Sequence, residues 1–401
     1  MKLVMTLLVR NEDDILEANL DYHFARGVDF VIATDNNSED RTPEILERYA
    51  RRGLVHVIDE PSDDYSQRQW VTRMARLAAT EFGADWVINN DADEFWWPRG
   101  AGFKEIFAAV PPEFGVVVAP RINFVARPGE SGAFFDRMTV AEMRGVPTLA
   151  EWRRFKAGDT EVRGSGRLNW YPHFLLPKTA HRAVPDVEVA NGNHSVLGTG
   201  LRPLPGWRPI EVLHFPLRSY AHFEKKVIDG GRATERNPDP TYNGHLRQQY
   251  RLYQEGKLFE YYRPQVVDDE ELEAGVREGR LLLDRRLERF FAEHGAQEGE
   301  RAAPEAAETD GLRAEMLRAV TQGEWAELET HGLYDMRRRV ENRLERERER
   351  RQEADARLER TRAKLERVQG DLAAIERRPA RRLRRGLAAL LPNRSSRAGR
   401  E

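Results

Sequence analysis

The chain contains no cysteine among its 401 residues. That excludes disulfides, cysteine nucleophiles and cysteine-based zinc sites, and it fits a reducing compartment. Long apolar runs are also missing: no stretch reaches the roughly 18 residues a transmembrane helix needs. The opening segment, Met1 to Arg10, has an apolar core too short for a signal peptide. It passes at once into Asn11-Glu12-Asp13-Asp14 with no small-residue cleavage site, so a buried first strand is expected there. Neither sign of charge dominates. Lys+Arg 64 against Asp+Glu 67 gives -3, which demands neither nucleic acid nor membrane. Neither Gly-x-Gly-x-x-Gly nor Gly-x-x-x-x-Gly-Lys-Ser/Thr occurs. A diphosphate held by this chain would lack a glycine cradle, and that absence strengthens the case for a metal clamp.

The apolar share is 40%, ample for a core. Residues 3–9 read as a buried strand, and Asp14 to Arg26 as a helix with Ile15, Leu16, Leu20 and Phe24 on one face, stopped by Gly27. Val28 to Thr34 is a second strand. Thr42-Pro43-Glu44 then starts a helix with proline at its first position. Leu54 to Asp59, a helix over Gln67 to Phe82, and a strand over Asp85 to Asn89 follow. Strands alternating with helices predict an α/β fold with a mixed, mainly parallel sheet flanked by helices. Ligands of such sheets sit outside the carboxyl ends of the strands. Arg10-Asn11, Asp35-Asn36 and Asp91-Asp93 all follow strand ends and should converge on one crevice.

Glu113 to Phe124 is expected to begin a further part of the sheet, Trp170 to Phe215 to be strand-rich, Ser219 to Tyr262 to be helical in two pieces, and Glu270 to His294 to be one helix. The division expected is a domain over 1–295 (a nucleotide-binding half, 1–125, and an acceptor half, 126–295), a linker over 296–310, a helical or coiled-coil arm over 311–376 and a basic amphipathic tail over 377–401. The arm suits a homo-oligomer and equally a solvated single helix. The tail is compatible with an anionic membrane surface and equally with a frayed cationic end. A cytoplasmic protein, with peripheral contact at the inner face of the cell membrane as an option, is the expectation.

Asn90-Asp91-Ala92-Asp93-Glu94-Phe95 follows the apolar run Trp86-Val87-Ile88. On an extended segment residues i and i+2 point the same way, so Asp91 and Asp93 could face one ion. Oxygen ligands favour Mg²⁺ or Mn²⁺. A solvated acidic turn has the same pattern. Glu94 is a water-mediated ligand or an outer acceptor, and Trp96 and Trp97 are sugar-stacking or core residues. His214, closing Val212-Leu213-His214, could complete the coordination, with His194 the rival. Lys178 and Arg182, together with Arg218 and Lys225, suit phosphate oxygens or are surface charges. Asn11 also suits a helix cap, and Arg10, Glu12, Asp35 and Asn36 suit a base and ribose.

As a set, Val9-Arg10-Asn11-Glu12-Asp13-Asp14, Asp35-Asn36-Asn37-Ser38-Glu39-Asp40-Arg41-Thr42 and Asp91-Ala92-Asp93-Glu94-Phe95 resemble the family-2-type glycosyltransferases. The bacterial branch with an RNE, DNNSxDxT and DxDEF pattern, itself similar to the glycosyltransferase family 92 domain, is the nearest resemblance. It runs from residue 1 to about 125 and is patchier through Lys178 to Arg182, Gly192-Asn193-His194 and His214-Phe215. It implies a GT-A fold, a nucleotide-sugar donor, a metal at Asp91 and Asp93, base or ribose contacts at Asn11 and Asp35, and inversion at the anomeric carbon. The family's usual Glu-Asp or Asp-Asp motif for the catalytic base is not evident. Asp186 and Glu188 are the first choices, with Glu151 and Glu211 as alternatives. The expected activity is therefore metal-dependent transfer of a sugar, hexosyl in kind, to a glycan or lipid-linked acceptor, without nucleic acid. A nucleotidyltransferase or phosphohydrolase, and a non-catalytic sugar-nucleotide-binding module with a helical assembly arm, are the rivals.

Overall fold

The computed structural model describes residues 1–64, 66–129, 132–142, 176–237 and 244–294, together with Lys364. Apart from Lys364, the linker, arm and tail fall outside the described residues, as do Glu151 and His173. Among the described residues, no helix is long and apolar enough to cross a membrane.

Four strands and three helices alternate at the start: β1 (Leu3–Val9), α1 (Leu16–Ala25), β2 (Phe30–Asp35), α2 (Thr42–Arg51), β3 (Val55–Asp59), α3 (Gln67–Thr80) and β4 (Trp86–Asp91). β1 is central, paired in parallel with β2 and β4, which is why it reads as an unbroken apolar run. Leu3, Val4, Met5 and Leu7 are fully buried, each stabilising the fold by about 1.5–3 kcal/mol. Thr6, the polar exception, donates its hydroxyl to Asn89 at 3.0 Å across the β1–β4 pair.

After β5 (Glu94–Pro98) and α4 (Phe103–Ala109), the chain forms β6 (Val116–Ala119) and β7 (Arg121–Asn123). The expected single continuation through Phe124 is in fact two strands in different sheets, separated at Pro120, which has no N–H to continue a ladder. α5 (Phe134–Arg137) and β8 (Val140–Glu142) follow, and then β9 (Lys178–Arg182) inserts antiparallel between β4 and β6. The main sheet has the order β3-β2-β1-β4-β9-β6, the mixed, mainly parallel α/β arrangement expected. Beyond the short antiparallel pair β10 (Glu188–Val189) and β11 (Val196–Leu197), β12 (Ile210–His214) lies between β5 and β7 in a second, three-stranded sheet.

The region expected to be two helical pieces is three: α6 (Tyr220–Arg236), α7 (Gly244–Gln254) and α8 (Leu258–Tyr262). α7 packs close on α6 because Gly231 has no side chain; a Cβ there would collide with the Tyr250 ring. The expected helix over Glu270 to His294 is also interrupted. α9 (Asp269–Arg277) stops before Gly279, whose φ is 70°. β13 (Leu281–Leu283) then pairs with β8 before α10 (Arg286–His294) begins.

Two buried histidines make the fold acid-sensitive. His23 Nε2 accepts the Trp96 N–H at 3.2 Å, while Nδ1 lies 2.8 Å from the Asn19 carbonyl, a pairing only the neutral ring satisfies. Burial pulls His23 and His181 down to about 4. The unfolded chain therefore binds the extra protons first. Their stabilisation is complete above about 6.5 and is lost as pH falls toward 4, by up to about 3 kcal/mol each. The urea midpoint should fall between pH 7 and pH 4.5; a constant midpoint would contradict this account.

Candidate active site

The carboxyl ends of β1, β2 and β4 lie side by side, with Val9 opposite Asp35 and Leu8 opposite Asp91. The acidic segment leaves β4 at Asp91, turns through Ala92-Asp93 and enters β5 at Glu94. Polar side chains of α1 hold this turn. Asn19 Nδ2 donates to the carbonyls of Ala92 (2.9 Å) and Glu94 (2.8 Å), and Asn19 Oδ1 accepts from Asn90. The Tyr22 hydroxyl donates to the Trp96 carbonyl.

Because Ala92-Asp93 is a turn, the two aspartates do not share one direction as an extended strand would require. Asp91 accepts from Lys178 at 2.6 Å and from Asn193 Nδ2 at 3.0 Å. Asp93 instead accepts from Lys226 at 2.9 Å and lies 3.7 Å from His214 Nε2. Glu94, His214 and Asn123 are direct cross-strand neighbours on β5, β12 and β7, so their side chains share one face. Ligand atoms of Asp93, Glu94 and His214 all lie within 4.8 Å of one another.

The donor set suits a hard divalent cation. His214 Nδ1 faces Asn123 Oδ1 at 2.6 Å, so its proton belongs there and the Nε2 lone pair points toward Asp93. Both Glu94 carboxylate oxygens are buried without a hydrogen bond, although Lys178 lies 2.9 Å away. Burial pushes Glu94 up to about 7 against the pull of Lys178. Burial also raises Asp93, but Lys226 and His214 outweigh it and hold that carboxyl well below its ordinary value. The His214 imidazole is pulled down to about 4 by burial, with Asp93 opposing. His194, the rival ligand, turns Nδ1 to the Pro177 carbonyl at 2.9 Å and does not join the group.

A second acidic group, Glu12, Asp14 and His222, also has its ligand atoms within 4.8 Å. Its counter-charge is already built in. The fully buried Arg218 donates to Asp14 at 2.7 and 2.9 Å and to Glu12. Arg218 is thus committed inside the protein and is not available to a phosphate as expected. Arg182 is a clearer correction. β9 runs antiparallel to β4, which puts Arg182 beside Trp86 at the far end of the sheet, donating to the carbonyls of Phe114 and Val110.

The residues expected to bind base and ribose do gather at the crevice, largely engaged with one another. Arg10 donates to Asp63 at 2.7 Å and to Asn36 at 3.3 Å. Asn36 spends its amide on the carbonyls of Glu60 and Ser62. Asp35 accepts the Ser38 hydroxyl at 2.5 Å, and burial raises its carboxyl. Asn11, at φ 55°, accepts the Glu39 N–H and donates to Asp229 at 2.7 Å. Positive φ in Asn11, Asn37 and Asn193 marks the loops around the crevice.

Both first choices for the catalytic base are exposed and already engaged by neighbours. Asp186 is fully exposed and accepts from Thr199, which lowers its pKa. The adjoining Val187 carbonyl accepts from Arg76, about 13 Å along α3 from Gln67, the residue beside Asp91. Glu188 forms a solvent-exposed pair with Arg68 at 2.6 Å. Glu211 is paired with Arg286 at 2.6 Å. Trp96 is fully buried, a core residue, and Trp97 lies under the guanidinium groups of Arg26 and Arg286. The sequence reading chose Lys225 where the structure presents Lys226, and it passed over Asp229, Asn123 and Asn193. The i, i+3 spacing of Lys226 and Asp229 on α6 was the available signal.

No protein-family model and no curated protein matches the chain. Among solved structures, it is similar to Staphylococcus aureus TarS 1-349 in complex with UDP, at 12% identity over 76% of this chain and 93% of that one, with a TM-score of 0.32. It is also similar to glucosyl-3-phosphoglycerate synthase from Mycobacterium tuberculosis in complex with Mn²⁺, UDP and glucosyl-3-phosphoglycerate, at 16% identity over 45% of this chain and 57% of that one (TM-score 0.23). A cytidylyltransferase from Leptospira borgpetersenii matches at 14% identity over 30% of this chain and 54% of that one (TM-score 0.21). Likenesses this distant name no family, so the functional reading rests on the site.

Proposed function

We propose that this protein transfers a sugar from a nucleoside diphosphate donor to the hydroxyl of a glycan or lipid-linked acceptor, with Mn²⁺ or Mg²⁺ at Asp93, Glu94 and His214. The observation that carries the reading is that ligand atoms of these three residues lie within 4.8 Å of one another, directly beyond the end of β4. The bound ion would act as a Lewis acid on the diphosphate of the donor. The chain's own part is to hold that arrangement. Asn123 fixes the His214 tautomer, Asn19 fixes the turn carrying Asp93, and Lys178 balances Asp91 and Glu94. The acceptor oxygen bonds to the anomeric carbon as the bond to the diphosphate breaks, giving inversion, and the hydroxyl proton passes to a base in the acceptor half.

A thermal-shift panel of UDP-, GDP-, CMP- and TDP-sugars with and without Mn²⁺ tests this. Ligand at about 100 times its dissociation constant stabilises the native state by about 2.7 kcal/mol. At least one nucleotide sugar is expected to raise the melting temperature by a few degrees only when Mn²⁺ is present. No shift with any of them would remove the reading, and release of nucleoside monophosphate during turnover would point to nucleotidyl transfer instead.

A further inference from the structure

We infer that α6 is the second wall of the donor crevice, and that Lys226 is a ligand of the donor diphosphate which rests on Asp93 until the ion arrives. This deepens the donor reading and rests on it. His222, Lys226, Asp229 and Arg236 recur at i, i+4, i+7 and i+14 and so share one stripe of the helix. Along that stripe His222 lies 3.3 Å from Glu12, Lys226 2.9 Å from Asp93, and Asp229 2.7 Å from Asn11, while Arg236 pairs with Asp63. From Lys226 to Arg236 the axis rises about 15 Å, so the stripe passes the ends of β4 and β1 and then the segment after β3. The apolar contacts of the helix, through Phe223 and Val227, belong to its other side. Apart from the buried Ala233, the residues of this stripe that meet the strand ends are polar, as a ligand-facing wall requires.

Lys226 occupies a particular place in that wall. Its ammonium and the His214 Nε2 atom approach the same oxygen of Asp93, Oδ2, at 2.9 and 3.7 Å. An ion held between Asp93 and His214 would compete with Lys226 for that carboxylate, because a divalent cation repels the ammonium already there. Lys226 is the cation free to yield. Its side chain is 43% exposed, against 1% for Lys178 and 0% for Arg218. Its other carboxylate neighbour, Glu12 at 3.7 Å, keeps Arg218 as a counter-charge, and the donor's phosphate oxygens offer the displaced ammonium a new acceptor beside the ion.

The test is calorimetric titration of the full chain and of Lys226→Ala, first with Mn²⁺ alone and then with UDP, GDP, CDP and TDP in saturating Mn²⁺. Removing the competing charge should tighten Mn²⁺ binding about tenfold, and removing the phosphate ligand should weaken the best nucleotide on the order of tenfold. A residue with only a structural role would not move the two affinities in opposite directions. Lys226→Arg keeps the charge and should leave the Mn²⁺ affinity near that of the unaltered protein. Unchanged or weaker Mn²⁺ binding by Lys226→Ala, or unchanged nucleotide binding, overturns the inference while the donor reading stands. An unaltered protein that binds none of the four nucleotides with Mn²⁺ overturns both.

Discussion

Asp93→Asn is expected to cut metal-dependent turnover by about a thousandfold or more, equivalent to several kcal/mol of transition-state stabilisation. The same variant should melt within a few degrees of the unaltered protein. Asparagine keeps the shape of the side chain and removes the charge between Lys226 and His214. Lys226 then keeps only Glu12, 3.7 Å away, and it stands at a half-exposed position where an ion pair contributes about 0–1 kcal/mol. The Asp93 backbone carbonyl, which accepts the Phe215 N–H at 2.8 Å, is untouched. Asp91→Asn makes the informative comparison. Its partner Lys178 is buried and retains only Glu94, so that variant should lose stability as well as activity and should lose less Mn²⁺ affinity. Initial rates and Mn²⁺ titrations of both variants decide the matter, and undiminished turnover in Asp93→Asn would end the proposal.

Arg218→Met should be the most destabilising single change among these site residues, by about 3 kcal/mol, because it takes from the buried Glu12 carboxylate its nearest counter-charge. The guanidinium forks onto Asp14 and reaches Glu12, a geometry that lysine cannot reproduce, so Arg218→Lys should recover only part of the loss. The pH dependence identifies the cause. In the unaltered protein burial raises Glu12, but Arg218, Lys226 and His222 outweigh it and bring its carboxyl to about 2. Its stabilisation is therefore present above about 4.5 and disappears as pH falls toward 2. Without Arg218 the burial effect gains ground and the charged form becomes a liability at neutral pH. The gap in urea stability between variant and unaltered protein should narrow as pH is lowered from 7 to 4.5. A constant gap would mean that lost packing, rather than unpaired charge, is responsible.

The early strands were legible in the sequence because their information is local. The apolar run at residues 3–9 matches β1, and the helix over Gln67 to Phe82 overshoots α3 by two residues. Convergence of Asn11, Asp35 and Asp91 followed from the strand order that such runs impose. The shared direction of Asp91 and Asp93 failed for a local reason too, since the i, i+2 rule assumes extended backbone and the chain turns at Ala92-Asp93. Lys226 and Asp229 were missed for the opposite reason. They lie 133 and 218 residues from the partners they meet, and nothing in the helical pattern of α6 says which strand ends its polar stripe will cross. Asp186 and Glu188 were chosen by closeness in sequence to His194. β9 carries the chain to the far end of the sheet and the β10–β11 pair brings it back beside His194, but both carboxylates are exposed and engaged with Thr199 and Arg68.

Glu94, His214 and Asn123 stand on three hydrogen-bonded strands of one small sheet, while Asp91, Lys178 and the loops after β1 and β2 belong to the larger one. Glu94 and His214 are therefore mounted on one hydrogen-bonded plate, joined to the larger sheet through Ala92-Asp93 and Pro120 and through a shared apolar core. Under the proposed function, this mounting would keep Glu94 and His214 at one spacing whichever donor is bound.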